Sequence, residues 1–192
     1  MARSPQKRTL ETRAALIAAA REIIAGSGYE AMRVEEVVAR AGVAKGTFFA
    51  HFRDKDGLMD ILIGAEIDAL LDRIEAAPAP QSVEEVVAAL DPLLRFLTAE
   101  RYVFDLMIRY SGAAARDDIG PIAMTFERQI RVIARWLADG PFRRDVSGEL
   151  LAEGVQAFSI QAVSLQFCAL HSERALQDRL VEYLAAWLRA ET

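Results

Sequence analysis

Apolar side chains recur along the chain every three or four residues, the spacing that places them on one face of an α-helix. The first such series is Leu10, Ala14, Ile17, Ala20 and Ile24. Thr9, immediately before the series, is a candidate N-cap, and Gly26 and Gly28 are candidate helix terminators. No segment alternates between apolar and polar residues as a half-buried strand would, so the sequence predicts helices throughout.

Helix-breaking and capping residues divide the rest of the chain into further helices. Two short helices are expected near 34–41 and 44–52, followed by a long helix that Asp54 caps and that continues to about Ala76. The proline-rich stretch 77–81 breaks this helix, and Ser82 can cap the next one, which runs to Leu97. The remaining expected helices cover 103–110, 119–137, 147–171 (starting at Ser147) and 175–189. Nine helices and no strand predict an all-α fold.

Charge is unevenly distributed along the chain. The formal net charge of -5 over 192 residues argues at first against DNA as a partner, because phosphate binding needs a local excess of Lys and Arg. Residues 1–57, however, carry a net charge of +3, whereas residues 58–192 carry -8. The first segment is therefore mildly basic, and the acidic total belongs to the remainder of the chain.

Cysteine usage and the longest uncharged run bear on compartment and membrane association. Cys168 is the single cysteine, so no intrachain disulfide can form, which fits a reducing compartment such as the cytoplasm. The uncharged run 154–172 contains several Gln and Ser residues and a His, which make it too polar for a membrane span. We therefore expect a cytoplasmic protein without membrane association.

The segment 32–58 is the most informative part of the chain, because it places two short helices on either side of a tight turn at 41–43. Gly42 can adopt the positive φ that such a turn needs. Val37 and Val38 can face Phe48 and Phe52 across a small core, which gives the helix-turn-helix arrangement. The second helix would then expose one face, and its N-terminus would favour an anion such as phosphate.

The segment carries GYEA at 28–31, VEEVVARAGVAKGTFFAHF at 34–52, and Lys55. With these motifs it resembles the DNA-binding head of the TetR family of bacterial transcriptional regulators. The resemblance implies a three-helix head over 1–57 and a six-helix ligand-binding and dimerisation domain over 58–192. It also implies that the partner is a double-stranded DNA operator.

The resemblance assigns DNA-facing roles to particular side chains. The residues concerned are Arg33, Ala44, Lys45, Thr47, Phe49, Ala50, His51 and Lys55. Lys45 would reach base edges or phosphate, whereas Thr47, His51 and Lys55 would contact phosphates. Phe49 stands where the family usually has Tyr, so one phosphate hydrogen bond is lost. Arg33 replaces the usual capping Thr or Ser and can itself donate to phosphate.

A single head makes few contacts with DNA, so a dimer on a palindrome is expected. Helices 147–171 and 175–189 are the expected dimer surface, because the first of them is uncharged on every side for most of its length. The resemblance further implies a small-molecule effector bound between the middle helices. Candidate lining residues, which could equally be plain core, are Phe96, Phe104, Met107, Ile108, Tyr110, Phe126, Trp136, Phe158 and Gln161.

The expected function is that of a repressor that binds a palindromic operator as a homodimer and is released by a small-molecule effector. An activator, or a DNA-binding protein that responds to no ligand, is the alternative. The sequence contains no nucleophile elbow, phosphate-binding loop, dinucleotide-binding glycine pattern or metal-spaced cluster. We therefore predict no catalytic residue, no metal site and no cofactor, and the protein is not expected to be an enzyme.

Overall fold

The computed structural model describes residues 5–111, 119–171 and 173–189, and within these segments it contains nine α-helices and no strand. The all-α prediction is confirmed. The helices are α1 (Pro5–Ser27), α2 (Val34–Ala41), α3 (Lys45–Phe52), α4 (Lys55–Ala76), α5 (Val83–Ala99), α6 (Arg101–Tyr110), α7 (Pro121–Asp139), α8 (Gly148–Gln166) and α9 (Leu176–Leu188). None of these helices is long and apolar enough to cross a membrane.

Side-chain caps fix the starts of three helices where the sequence predicts them. The Asp54 carboxylate accepts the N–H of Gly57 at 2.7 Å and caps α4. The hydroxyls of Ser82 and Ser147 accept backbone N–H groups at 3.1 and 3.2 Å and cap α5 and α8. Each cap satisfies a donor that the first helical turn leaves unpaired.

Several predicted helix boundaries are wrong, three of them with a clear local cause. α1 begins at Pro5, whose fixed φ suits a first helical turn, so Thr9 lies inside the helix and does not cap it. α7 begins at Pro121, so Ile119 precedes the helix and is 76% exposed. α8 ends at Gln166 rather than at 171, because the N–H of Cys168 bonds to the carbonyl three residues back and the chain tightens into turns.

The head and the remaining helices share α4. Helices α1, α2 and α3 enclose a small core in which Leu16, Met32, Val37 and Phe48 are fully buried. α4 leaves this head and packs along α7, which in turn packs on α8, and α8 packs on α9. α4 is therefore one element through which a movement in the six-helix body would reach the head.

An ion-pair network ties the far half of α4 to α7. Arg128 of α7 donates to the carboxylates of Asp68, Asp72 and Glu75, which follow one another along α4. These hydrogen bonds raise the pKa of the Arg128 guanidinium. The network joins the two helices along one side at the protein surface.

Candidate nucleic-acid interface and effector cavity

The turn between α2 and α3 has the geometry that a helix-turn-helix requires. Gly42 adopts a left-handed conformation with a φ of 65°, and the N–H of Val43 returns to the carbonyl of Val38 at 3.0 Å. Phe48 is fully buried and Phe52 is 3% exposed, so both rings hold α3 against the head, as the sequence predicts. The remaining face of α3 is left open to a partner.

The open face of α3 carries the side chains that the sequence assigns to DNA. Ala44, Lys45 and Ala50 are exposed, and the Phe49 ring is 42% exposed, an unusual position for an aromatic side chain without a partner surface. Thr47 and His51 are half-buried at the edges of this face. The structure therefore brings the six predicted residues of α3 and its N-cap onto one short helix.

Lys45 is paired within the head. Its Nζ donates to Oε1 of Glu35, in the first turn of α2, at 2.5 Å. This hydrogen bond lowers the pKa of the Glu35 carboxyl. Sequence reasoning did not find this pair, because a contact between two helices at a steep angle leaves no periodic signal. Glu35 competes with any phosphate or base edge for the Lys45 ammonium.

Arg33 and Lys55, the two predicted phosphate contacts outside α3, share one backbone acceptor. The carbonyl of Glu30 accepts the Lys55 ammonium at 2.8 Å and the Arg33 guanidinium at 3.1 Å. Burial, followed by the charge of Arg33, lowers the pKa of Lys55. The structure thus places two cations side by side, next to the start of α2 and at the start of α4.

A residue of α1 supports the end of α3. Arg13 donates to the carbonyl of His51 at 3.2 Å, and its guanidinium lies 4.8 Å from the centre of the Phe52 ring. A guanidinium at this distance from a ring is in the range of a cation–π contact. Arg13 therefore fixes the helix end that carries His51, a role that sequence reasoning did not find.

A small cavity of about 20 Å³ lies between α5, α6, α7 and α8. Its walls are Leu90, Leu93, Leu94, Leu97, Met107, Phe126, Gln129, Gln156, Ser159 and Ile160. A cavity of this size holds about one water molecule. A larger ligand can enter only if the surrounding helices move apart.

Polar groups cluster on one side of this cavity. The Gln156 side chain donates to the carbonyl of Phe126 at 3.1 Å and to Oε1 of Gln129 at 3.0 Å. The Ser159 hydroxyl donates to the carbonyl of Val155 at 2.7 Å, and its oxygen can still accept a hydrogen bond. An apolar cavity with a few convergent polar groups has the composition of a small-molecule site.

Two of the nine residues predicted to line an effector site, Met107 and Phe126, line this cavity. The other predicted aromatics have other neighbours: Phe96 contacts Tyr29, Phe104 contacts Phe167, and Phe158 contacts Tyr183 and Trp187. Trp136 is buried, Ile108 and Tyr110 are half-buried, and Gln161 is exposed on α8. A ligand contact for these seven residues stays a prediction.

The head matches a known family. Residues 16–61 match the family model described as bacterial regulatory proteins, tetR family. The match covers the second half of α1, the whole helix-turn-helix and the start of α4, which are the elements that present the open face of α3. Over these residues the chain is similar to the DNA-binding head of the TetR family. The members of that family are DNA-binding regulators and not enzymes.

Two relatives come from Bacillus subtilis. An uncharacterized HTH-type transcriptional regulator, YvdT, is 30% identical over 101 residues, which are 52% of this chain and 51% of the relative. A fatty acid metabolism regulator protein is 29% identical over 112 residues, which are 56% of this chain and 58% of the relative. The chain therefore matches little more than half the length of these relatives.

The fold extends the likeness beyond the head. The structure of Thermus thermophilus FadR, a TetR-family transcriptional repressor in complex with lauroyl-CoA, aligns with a TM-score of 0.66 and 20% identity. The alignment covers 94% of this chain and 97% of the other. At this identity the likeness shows that the two chains share the TetR fold over nearly their whole lengths.

Proposed function

We propose that this chain is a ligand-responsive transcriptional repressor of the TetR family, which binds a palindromic operator as a homodimer. The observation that carries the proposal is the open face of α3, where Lys45 and Phe49 stand exposed on a rigid helix-turn-helix. The net charge of +3 on residues 1–57 supports contact with phosphates. As domains we propose the head, 1–57, and a ligand-binding and dimerisation unit, 58–192, with α4 running across the boundary.

On DNA, α3 enters the major groove, where Ala50 offers an apolar contact to a thymine methyl and Lys45 reaches base edges or phosphate. Arg33 and Lys55 donate to the phosphates beside the groove. For Lys45 to bind, its ammonium exchanges Glu35 for the DNA. The ion pair with Glu35 therefore lowers the affinity of the protein for every DNA sequence. DNA replaces Glu35 as the partner of Lys45 only where α3 fits the groove.

The homodimer forms through α8 and α9. Exposed side chains of α8 lie on one stripe, which consists of Glu149, Leu150, Glu153, Ala157 and Gln161, with Leu150 45% exposed. Beside this stripe, Phe158 packs against Tyr183 and Trp187 of α9 with ring centres 5.4 and 6.0 Å apart. Aromatic side chains, Trp and Tyr above all, are enriched at the centres of protein–protein interfaces.

The effector is an amphipathic molecule with a long apolar part, bound in the expanded cavity between α5, α6, α7 and α8. No charged side chain lines this cavity, so its polar wall suits an uncharged group such as a carbonyl, since a buried unpaired charge is costly. Relatives named for fatty acid metabolism, and a neighbour bound to lauroyl-CoA, support a fatty-acyl compound. A charged part of the ligand would stay outside.

Ligand entry changes DNA binding through α4. Expansion of the cavity displaces α7, and α7 is tied to α4 by the Arg128 network. A shift of α4 alters the distance between the two heads of the dimer. The effector lowers operator affinity by the difference between its affinities for the two states.

Footprinting on the DNA upstream of its own gene tests the proposal. We expect one short symmetric protected region, with half-sites about 34–36 Å apart or a multiple of that distance. K45A should abolish protection, whereas R95A, which removes an exposed cation from α5, should leave it intact. Diffuse coverage without symmetry would show architectural binding, and equal protection by K45A would contradict the role of α3.

A further inference from the structure

A carboxylate of the body reaches into the head. Glu100 lies between α5 and α6, and its two oxygens accept the backbone N–H groups of Tyr29 and Glu30 at 2.8 and 2.9 Å. These partners are 71 and 70 residues away along the chain. The side chain thus caps the loop between α1 and α2 from outside the head.

The loop is shaped for this contact. Gly28 has a φ of 85°, a conformation that favours glycine, and a Cβ at this position would lie 2.8 Å from Oε1 of Glu100. The adjacent Tyr29 ring meets Phe96 of α5 edge-on, with ring centres 5.9 Å apart. The close approach of backbone and carboxylate therefore depends on a residue without a side chain.

The same loop holds both cations outside α3. The N–H of Glu30 bonds to Glu100, and its carbonyl accepts Lys55 and Arg33. The Lys55 ammonium also lies 4.8 Å from the centre of the ring of Tyr102, which follows Glu100 in the first turn of α6. The start of α6 thus holds the loop on one side and the lysine on another.

We propose that Glu100 is a positioning residue of the DNA interface: by fixing the Tyr29–Glu30 backbone, it sets where Arg33 and Lys55 meet phosphate. The inference rests on the proposed DNA-binding function. It also gives the body a direct contact with the phosphate-binding side of the head. A displacement of α6 would move this contact without passing through α3.

Because Glu100 is charged, the direction in which its substitution changes the affinity for DNA tests the proposal. A carboxylate beside two phosphate-binding cations repels DNA, so removal of its charge alone would strengthen binding. Loss of positioning would weaken it, because Gln offers one carbonyl oxygen and turns an amide N–H₂ toward the second backbone donor. The two explanations therefore predict opposite changes for the same variant.

The experiment measures the affinity of the full-length protein for the footprinted duplex at several salt concentrations, at a temperature where thermal unfolding shows every variant folded. We expect E100Q to bind about tenfold more weakly, since hydrogen bonds to charged groups contribute strongly. The slope of log K against log salt should fall by about one. D105N, which removes an exposed carboxylate of α6 paired with Arg101, should not weaken binding.

Two further variants keep the outcome decisive. E100D retains the charge but is one methylene shorter and cannot reach both N–H groups, so it should also weaken binding. If Glu100 acts through Lys55, the losses caused by E100Q and K55A will be less than additive. Binding by E100Q and E100D as tight as the wild type, or fully additive losses, would overturn the inference. Absence of any specific binding by the wild type would instead refute the proposed function.

Discussion

The carboxylate of Asp60 in α4 caps the N-terminus of α7, where its Oδ1 accepts the N–H of Ile122 at 2.9 Å. Asp60 is 8% exposed, so its carboxyl group is buried and accepts a backbone donor of a helix terminus. The fit is close, because a Cβ on Gly120 would lie 2.0 Å from the other carboxylate oxygen. The middle of α4 is therefore fixed to the start of α7 by a specific polar contact.

D60A should lower the free energy of unfolding by about 1–3 kcal/mol, because it leaves a buried backbone donor without a partner. Urea unfolding followed by circular dichroism measures the change. D68A is the matched control: Arg128 keeps Asp72 and Glu75 as partners, so this exposed pair should contribute less than about 1 kcal/mol. Equal losses for the two variants would contradict the capping role of Asp60.

Glu35 should act as a competitor for DNA. E35Q releases Lys45 from its 2.5 Å pair, so operator affinity should rise about two- to fivefold, in line with the strength of an exposed ion pair. E36Q removes the same charge from the same exposed helical turn and serves as the control. Affinity is measured by fluorescence anisotropy. A similar gain for both variants would show that the loss of a negative charge, and not the release of Lys45, raises the affinity.

The exposed stripe of α8 should form the dimer interface. A157E introduces a charge at an exposed position in the middle of this stripe, and a charge against its symmetry mate is costly at an interface. We expect sedimentation velocity to show a shift toward monomer. A88E, at an exposed position of α5, should leave the mass unchanged. Unchanged mass for A157E would exclude this face as the interface.

Tyr29 should make the stability of the protein depend on alkaline pH. Burial, followed by the charges of Glu66 and Glu100, raises its pKa from the ordinary 10 to about 12. Because the folded state holds the hydroxyl proton more tightly, this contribution to stability is fully present below pH 10 and is lost as pH rises through about 12.

Y29F removes this ionisation and keeps the ring that contacts Phe96. Absorbance titration of the folded protein near 295 nm should lose a component near pH 12, and unfolding measured from pH 9 to 12 should become less dependent on pH. An unchanged absorbance titration would show that Tyr29 ionises in its ordinary range.

Local chemistry made much of the fold predictable. Asp54, Ser82 and Ser147 cap helices because a side-chain oxygen and a backbone donor three residues later are enough to start one. The helix-turn-helix was equally predictable, since the spacing of Gly42 in the turn and the buried Phe48 is typical of this motif. These signals lie within a few residues of the structure that they specify.

Contacts between distant segments were not predictable in the same way. The uncharged stretch of α8 gave no signal for which of its glutamines faces inward: the sequence suggested Gln161, whereas Gln156 lines the cavity and Gln161 is exposed. The pair between Lys45 and Glu35, and the hold of Glu100 on the head, join helices whose relative placement no local pattern records. Such contacts require the assembled fold.

Titration of the footprinted duplex, intact and with one half-site scrambled, tests the central claim most directly. A dimer that presents two α3 helices should bind the intact duplex with two protomers and lose at least about 100-fold in affinity when one half-site is removed. Equal binding to the intact and the scrambled duplex, or saturation by one protomer, would contradict recognition of a palindrome by paired heads.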